Sequence, residues 1–335
     1  MTTRVKGSVY SSVDTTGFIC ITDAPYLCVG DNVTDNTAAL ALAFSAGTPL
    51  LVPPGIFLAT SLVIPSGTVI FGIGPDSVLK VKNATNTYFL DLWNVTNVCL
   101  QNFSINGNKT AQIGANNHAI RISAGSKHKL ADLSISNTLG NGIYITGNAA
   151  KIDISYPKIT GYVASGIAIE NASDVEIINP ECYSSDALAF PGDGITLAPI
   201  IATDLVTRIQ IAGGRLHHNV GRGLAAVGFG GKNVTDSSVT GTICDANTSH
   251  GIHLLTVKQI DVRGIVSHNL GDGFRLEGDV TNCCIAGVSD TNTGFGCREV
   301  VAGSTPDYNT FIAVKSIGNG TNTVTKVGAN STILV

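Results

Sequence analysis

One short pattern returns down this chain: a polar residue, a glycine, then apolar residues at alternate positions. It reads NGIYI at Gly142, SGIAI at Gly166, DGITL at Gly194, RGLAA at Gly223, HGIHL at Gly251, DGFRL at Gly273 and TGFGC at Gly294, with HAIRI carrying Ala119 in the glycine place. Successive copies lie 21 to 29 residues apart. Strict alternation predicts a short strand with one buried face. Each repeat holds two or three such stretches, for instance VTRIQIAG before GRGLAA and KQIDVRG before GDGFRL. A coil of about 22 residues cannot bury its inner face alone, so successive coils must stack, about 4.8 Å apart, around one shared core. The prediction is an all-β solenoid, a parallel β-helix, with residues 1–335 forming a single domain. The L-x-x-L-x-L framework of a leucine-rich repeat is missing.

Asparagine fixes the register. Asn219, Asn247 and Asn269 each stand three residues before the residue that precedes the glycine. Side-chain amides stacked at such a turn can hydrogen-bond along the stack. In this frame Cys244 falls level with Leu216 and Val266, which makes it a core residue. The amino end reads differently, and residues 1–50 are assigned to an initial strand and a capping helix. VTDNTAALALAFSAG offers Asp35 or Asn36 as N-cap and Gly47 as a stop, so a helix is predicted over 36–46, closing the open end of the stack.

Composition agrees with many short buried strands: 44% of residues are hydrophobic, 13% are charged and 38 are glycine. A net charge of −4 without a basic stripe argues against nucleic acid as a partner. The first residues, MTTRVKGSVYSSVD, lack the apolar core of a signal peptide, and no apolar run reaches the roughly 18 residues that span a bilayer. A soluble protein with no membrane partner is expected. The eight cysteines form no C-x-x-C pair and no zinc spacing, and are read as reduced core thiols.

The segment Val29 to Gly74, VGDNVTDNTAALALAFSAGTPLLVPPGIFLATSLVIPSGTVIFGIG, resembles the opening of the pectate-lyase-like superfamily of right-handed parallel β-helices, which includes phage tailspike depolymerases, polygalacturonases and alginate epimerases. The lead-in DAPYLCVGDN departs from the usual DFGAVGDG. The resemblance implies a polysaccharide substrate, a homotrimer and a place on a virion tail. The superfamily includes lyases, hydrolases, epimerases and noncatalytic proteins, so it does not fix one reaction.

With the apolar residues after each glycine pointing inward, three positions face out: the residue before the glycine and those two and four after it. Stacking turns each into a ladder. The first reads His118, Asn141, Ser165, Asp193, Arg222, His250, Asp272, Thr293; the second Arg121, Tyr144, Ala168, Thr196, Ala225, His253, Arg275, Gly296; the third Ser123, Thr146, Glu170, Ala198, Val227, Leu255, Glu277, Arg298. Charge gathers near the carboxy end. His253, Arg275, Glu277, His250 and Asp272 are the candidate catalytic residues there, with Arg222, Arg298 and Asp193 as substrate contacts. Arg121, Tyr144 and Glu170, near His118, form a second candidate site. The plain alternative is a ladder of solvated ion pairs that supports stacking alone.

SHGIHL followed by DGFRLEG is similar to the polygalacturonase pair of a G-H-G and a later R-I-K segment. That likeness puts His250 in the place of the family histidine and Arg275 in that of the arginine. Glu277 stands where the family has lysine, and Asp193 in GDGITL is the nearest counterpart of an aspartate. The aspartate-pair segment is absent, its coil reading GRGLAA. Spacing also disfavours two-carboxylate hydrolysis, which requires carboxyls about 5–9.5 Å apart. Asp193 and Asp272 are three rungs apart, roughly 14 Å, and an extended strand separates Asp272 and Glu277 by roughly 16 Å. β-Elimination or C5 epimerisation on a uronic acid needs a cation, a base and a proton donor, roles open to Arg275, His253 and His250 or to Arg121 with Tyr144. NGIYITG lacks the acid and histidine of the alginate-epimerase signature Y-G-F-D-P-H, and no G-G-x-G-x-D calcium repeat occurs, so neither calcium nor another cofactor is indicated.

Overall fold

The computed structural model describes residues 17–114, 116–184, 186, 192–201, 203–229 and 231–334. Its strands wind into a parallel β-helix with three ladders of in-register strands. One ladder carries the glycine pattern. It comprises eleven strands in chain order: β1 (Leu62–Val63), β2 (Leu90–Trp93), β3 (Ile120–Ser123), β4 (Ile143–Thr146), β5 (Ser165–Ile169), β6 (Asp193–Leu197), β7 (Leu224–Val227), β8 (Ile252–Leu255), β9 (Phe274–Glu277), β10 (Phe295–Val300) and β11 (Thr321–Thr325). The other two ladders belong to one bent sheet of 21 strands. From Val234–Asp245 onward a single long strand covers both of these faces, where earlier coils use two.

Alternation puts the core where the sequence predicts it. Ile120, Ile143, Ile167, Ile195, Leu224, Ile252 and Phe274 stack on one inward line and are at most 1% exposed. Cys244 lies level with Leu216 and Val266 as expected, and all eight cysteines are free thiols. The glycine at the head of each rung has a steric cause. A Cβ at Gly166 would stand 2.6 Å from the carbonyl oxygen of Gly194, and one at Gly194 equally close to that of Gly223.

The amide stack is longer than the three predicted rungs. Asn219, Asn247, Asn269, Asn292 and Asn319 follow one another, and the first four are buried to at most 1% exposure. Asn247 shows the pattern. Its Nδ2 donates to the Leu216 carbonyl (3.1 Å) and to Asn269 Oδ1 (2.9 Å), while its Oδ1 accepts from the amide (3.1 Å) and Nδ2 (2.9 Å) of Asn219. The stack ends on Tyr162 and Ser184 at one side and on Asn322 at the other.

The predicted helix is present as α1 (Thr37–Ser45). Of the two proposed caps, Asn36 holds the N-cap position without a capping side-chain bond, its side chain being spent on Val29 and Thr34. Asp35 supplies the carboxylate that caps the first turn, accepting from the Thr37 amide at 3.0 Å. Gly47, with φ +70°, follows the helix end. Leu40, Ala43 and Phe44 enter the core, and α1 packs against Gly55–Ala59 and β1. Of the assigned initial segment, residues 1–16 lie outside the described residues; Ile19–Cys20 pairs with Leu50–Leu51 and so joins the stack. No helix among the described residues is long and apolar enough to cross a membrane.

Replacing Asn247 with alanine leaves two buried donors and a buried carbonyl unpaired, which should lower the unfolding free energy by ~3 kcal/mol or more. Urea denaturation measures it; an unchanged midpoint would show the amide stack to be incidental.

Candidate functional site

The ladder face brings the charged residues together as predicted up to β9, and then differs by two residues. Arg275 pairs with Arg298, and Phe274 with Cys297, so Arg298 belongs to the second ladder and Phe295 takes the position assigned to Thr293. Gly296 heads the rung in place of Gly294: a Cβ on Gly273 would meet its carbonyl at 2.6 Å. The cause is that TGFGC offers two glycines two residues apart, which give the same alternation. The asparagine decides between them, since Asn292 stands four residues before Gly296 just as Asn269 stands four before Gly273.

Around β6–β10 the side chains form one closed chain of bonds. Arg222 grips Asp193 through Nε (3.1 Å) and a terminal nitrogen (2.8 Å), and its amide also donates to Asp193 Oδ1 at 2.7 Å. The other terminal nitrogen of Arg222 lies 3.1 Å from His253 Nδ1. Arginine only donates, so Nδ1 accepts, the ring hydrogen sits on Nε2, and Nε2 donates to Glu277 at 3.0 Å. Glu277 also accepts from Arg275 Nε (2.7 Å). Arg275 reaches Asp272 at 3.1 Å, and Asp272 is closed off by Arg298 (2.8 Å) and the Phe295 amide (2.9 Å).

Both imidazoles in this patch already accept a hydrogen bond on their free lone pair. Burial, helped by Arg222, pushes His253 down to about 3, and its lone pair is occupied. His250 accepts the Asp272 amide on Nδ1 at 2.8 Å, and burial lowers its pKa as well, against the pull of Asp272. Hydrogen bonding from Arg275 holds Glu277 below its ordinary range. At Asp272 burial acts the other way, but the Phe295 amide and Arg298 outweigh it and the carboxyl is also lowered. Neither is suited to carry a proton to a leaving group. The Asp272 and Glu277 side chains converge on Arg275, the condition under which two carboxyls this far apart along a strand can approach, and the compact guanidinium fork holds their accepting oxygens within about 8 Å of each other. Strand length does not bound their separation, since both side chains turn toward the arginine between them.

The second group, on β2–β5, is built differently. Arg121 is bound bidentately by Asp91 (2.7 and 2.6 Å) and lies 3.9 Å over the ring of Tyr88. His118 is packed between Tyr88 and Tyr144, and its Nδ1 accepts from the Asn141 amide. Burial lowers His118 to about 4. Tyr144 donates its hydroxyl to Glu170. Burial raises the Glu170 carboxyl and the nearby Asp204 adds to this, outweighing the bond from Tyr144; burial raises Tyr144 too. The outward carboxylates Asp91, Asp193, Asp272 and Glu277 each bond an arginine. Among the described residues Glu170 has no cationic partner.

Sequence reasoning missed Asp91, Tyr88 and Trp93, because its ladders began at His118. LDLW in β2 carries the same alternation without a glycine: Asp91 pairs with Arg121 and Trp93 with Ser123. Trp93, the single tryptophan, is 61% exposed. A concavity of about 350 Å³ lined by Lys151, Asp174, Glu176 and Arg208 lies on another face and includes none of these candidates. No three His, Cys, Asp or Glu side chains among the described residues converge as a metal centre would require.

No family model matches the chain. The pre-neck appendage proteins of Bacillus phages phi29 and PZA are each 28% identical over 186 residues, 51% of this chain and 20% of theirs. The chain thus spans about one fifth of the length of these curated relatives. Among solved structures, phage phi29 gene product 12 superimposes with a TM-score of 0.72 at 15% identity, over 93% of this chain and 51% of that one. The mannuronan C-5 epimerase AlgE4 A-module of Azotobacter vinelandii gives 0.70 at 15% over 94% and 99%, and the Dettilon tailspike protein 0.64 at 16% over 94% and 67%. These likenesses show the fold, a right-handed parallel β-helix, as the resemblance implied.

The histidine environments fix a pH dependence of stability. His118, His128 and His253 are held at about 4, 4 and 3, each chiefly by burial, and each gains a proton on unfolding below about 6.5. Their contribution is whole above that pH and is lost as pH falls, by about 1.4 kcal/mol per pH unit for each histidine. Thermal unfolding from pH 7 to 4.5 should show a falling Tm with a shallower slope in His128→Leu. A flat Tm across that range would contradict the neutral assignments.

Proposed function

We propose that the chain is a glycan-cleaving β-helix of the kind carried on phage tails, with its reaction centre at Tyr144 and Glu170. The observation that carries this reading is Glu170: an outward carboxyl with a raised pKa, bonded to a phenol and unpaired with any arginine. A carboxyl in that state holds a proton for a glycosidic oxygen, the part of a general acid. The relatives named as phage appendages and tailspike, and the neighbour named as acting on mannuronan, support a glycan as the partner and a virion as the location. The carboxy-terminal patch of His253, Arg275, Glu277, His250, Asp272, Arg222, Arg298 and Asp193 then serves mainly as a structural brace.

Hydrolysis also requires a second carboxylate about 5–9.5 Å from the first. Asp91 is held on both oxygens by Arg121, and Asp204 by Asn171 and the amides of Ile200 and Ile201. The reading therefore assigns that group to a second subunit of the homotrimer that the tailspike resemblance implies. Helix α1 is read as the cover of β1, the end at which an open edge would otherwise recruit a foreign strand.

A noncatalytic glycan-binding role is the second reading, and the closed bonding of the carboxy-terminal patch favours it. Incubation with a panel of capsular and plant polysaccharides separates the two by the release of new reducing ends. Glu170→Gln should lower cleavage 100-fold or more, while His253→Ala retains it. Cleavage should fall as pH rises through the raised Glu170 value, since the acid form is then lost. Tyr144→Phe removes a bond that favours the carboxylate, so this limb should move to higher pH. Binding without new reducing ends on any polymer would leave the noncatalytic reading.

A further inference from the structure

The ladder face carries four arginines and no free one. Arg121 is bound by Asp91, Arg222 by Asp193, and Arg275 and Arg298 by Asp272, with Glu277 taking a further bond from Arg275. The eleven strands hold no lysine. A uronic-acid polymer bound along this face would place its carboxylates against guanidinium groups already neutralised, and beside the unpaired Glu170 carboxyl. A repeating negative charge needs a cation that has not been spent. The face offers none among the described residues.

It does offer surfaces suited to uncharged sugars. On the third ladder the order is Trp93, Ser123, Thr146, Glu170: Trp93 pairs with Ser123 and Ser123 with Thr146, and the Glu170 amide bonds the Ile145 carbonyl on the next rung. Trp93 and Glu170 are thus three rungs, ~14 Å, apart along the helix axis, with only two small hydroxyl residues between them. An exposed indole at one end of a floor of hydroxyls suits a sugar ring, whose apolar face packs on the aromatic while its hydroxyl groups find hydrogen-bond partners. Beyond Glu170 stand Ile200 and Ile201, 49% and 60% exposed, anchored through their amides to Asp204.

We propose that this strip binds a neutral glycan lying along the β-helix axis, with Trp93 as the platform for a sugar about three rungs from the one at Glu170. The inference rests on the reading of Glu170 as the reaction centre and adds to it the substrate class and the direction of the chain. Trp93 is a positioning residue in this scheme. Its indole is exposed, so its removal leaves the core intact.

The test uses the full chain against galactan, mannan and β-glucan as neutral probes and polygalacturonate and alginate as anionic ones, reading both binding and reducing ends. A neutral polymer should be bound and cleaved, with neither uronan retained, and Trp93→Ala should raise KM tenfold or more at an unchanged Tm. Retention of a uronan overturns the substrate class. Cleavage with a KM indifferent to Trp93→Ala overturns the subsite while leaving Glu170 in place. Binding that depends on Trp93 without any cleavage overturns the reaction centre and keeps the subsite. If none of the five polymers is bound, both the binding strip and the cleavage reading fall.

Discussion

A solenoid whose coils differ in length must still return each turn to the same place, and in the carboxy-terminal half of this protein a column of asparagine amides does that. Each amide uses both hydrogens and both lone pairs on its neighbours above and below, so a coil that arrived out of step would bury unpaired polar groups. Insertions are thereby confined to the turns elsewhere in the coil. Residues 198–201 leave the ladder after β6, while Asn219 and Asn247 hold the register of the later coils. From β7 onward the inward residues, the rung glycines and the outward ladders keep step with that column.

The same stacking explains why a concentration of charge need not be a reaction site. Ladders about 4.8 Å apart place unlike charges within reach of one another, and at β6–β10 every arginine and carboxylate has found a partner. A patch that looks reactive when projected from the sequence is, in three dimensions, tied together by ion pairs and hydrogen bonds between its own residues. The imidazole of His253 illustrates it: outward by alternation, yet only 7% exposed and wedged between Arg222 and Glu277.

Much of the fold was legible because it follows from period two and a repeated glycine. The core residues, the three outward ladders as far as β9, the level of Cys244 and the helix beginning beside Asn36 all follow from local pattern. What escaped did so for specific reasons. Gly294 and Gly296 fit the alternation equally, and only the amide column separates them. The rung of Asp91 and Trp93 has no glycine to announce it. The convergence of Asp272 and Glu277 on Arg275 is a matter of side-chain rotamers, which spacing along a strand does not determine. Above all, which lone pairs are already occupied depends on bonds between coils 22 to 31 residues apart, and this decides whether a histidine can act as a base.

The distinction between scaffold and site on this face therefore turns on satisfaction rather than on residue type. Asp91, Asp193, Asp272 and Glu277 are drawn into ion pairs, and each of those pairs ties one coil to another or stiffens a rung. Glu170 sits among Thr146, Ala198 and Asp204, where stacking supplies no cation, and burial acts against its charge. Such a group contributes little to holding coils together, and the same deficiency is what makes its proton available. Where the rules that build the ladder are met most fully, chemistry is least accessible; among the described residues of this face Glu170 is the outward carboxyl they leave without a cation, which is why the proposed reaction centre falls there.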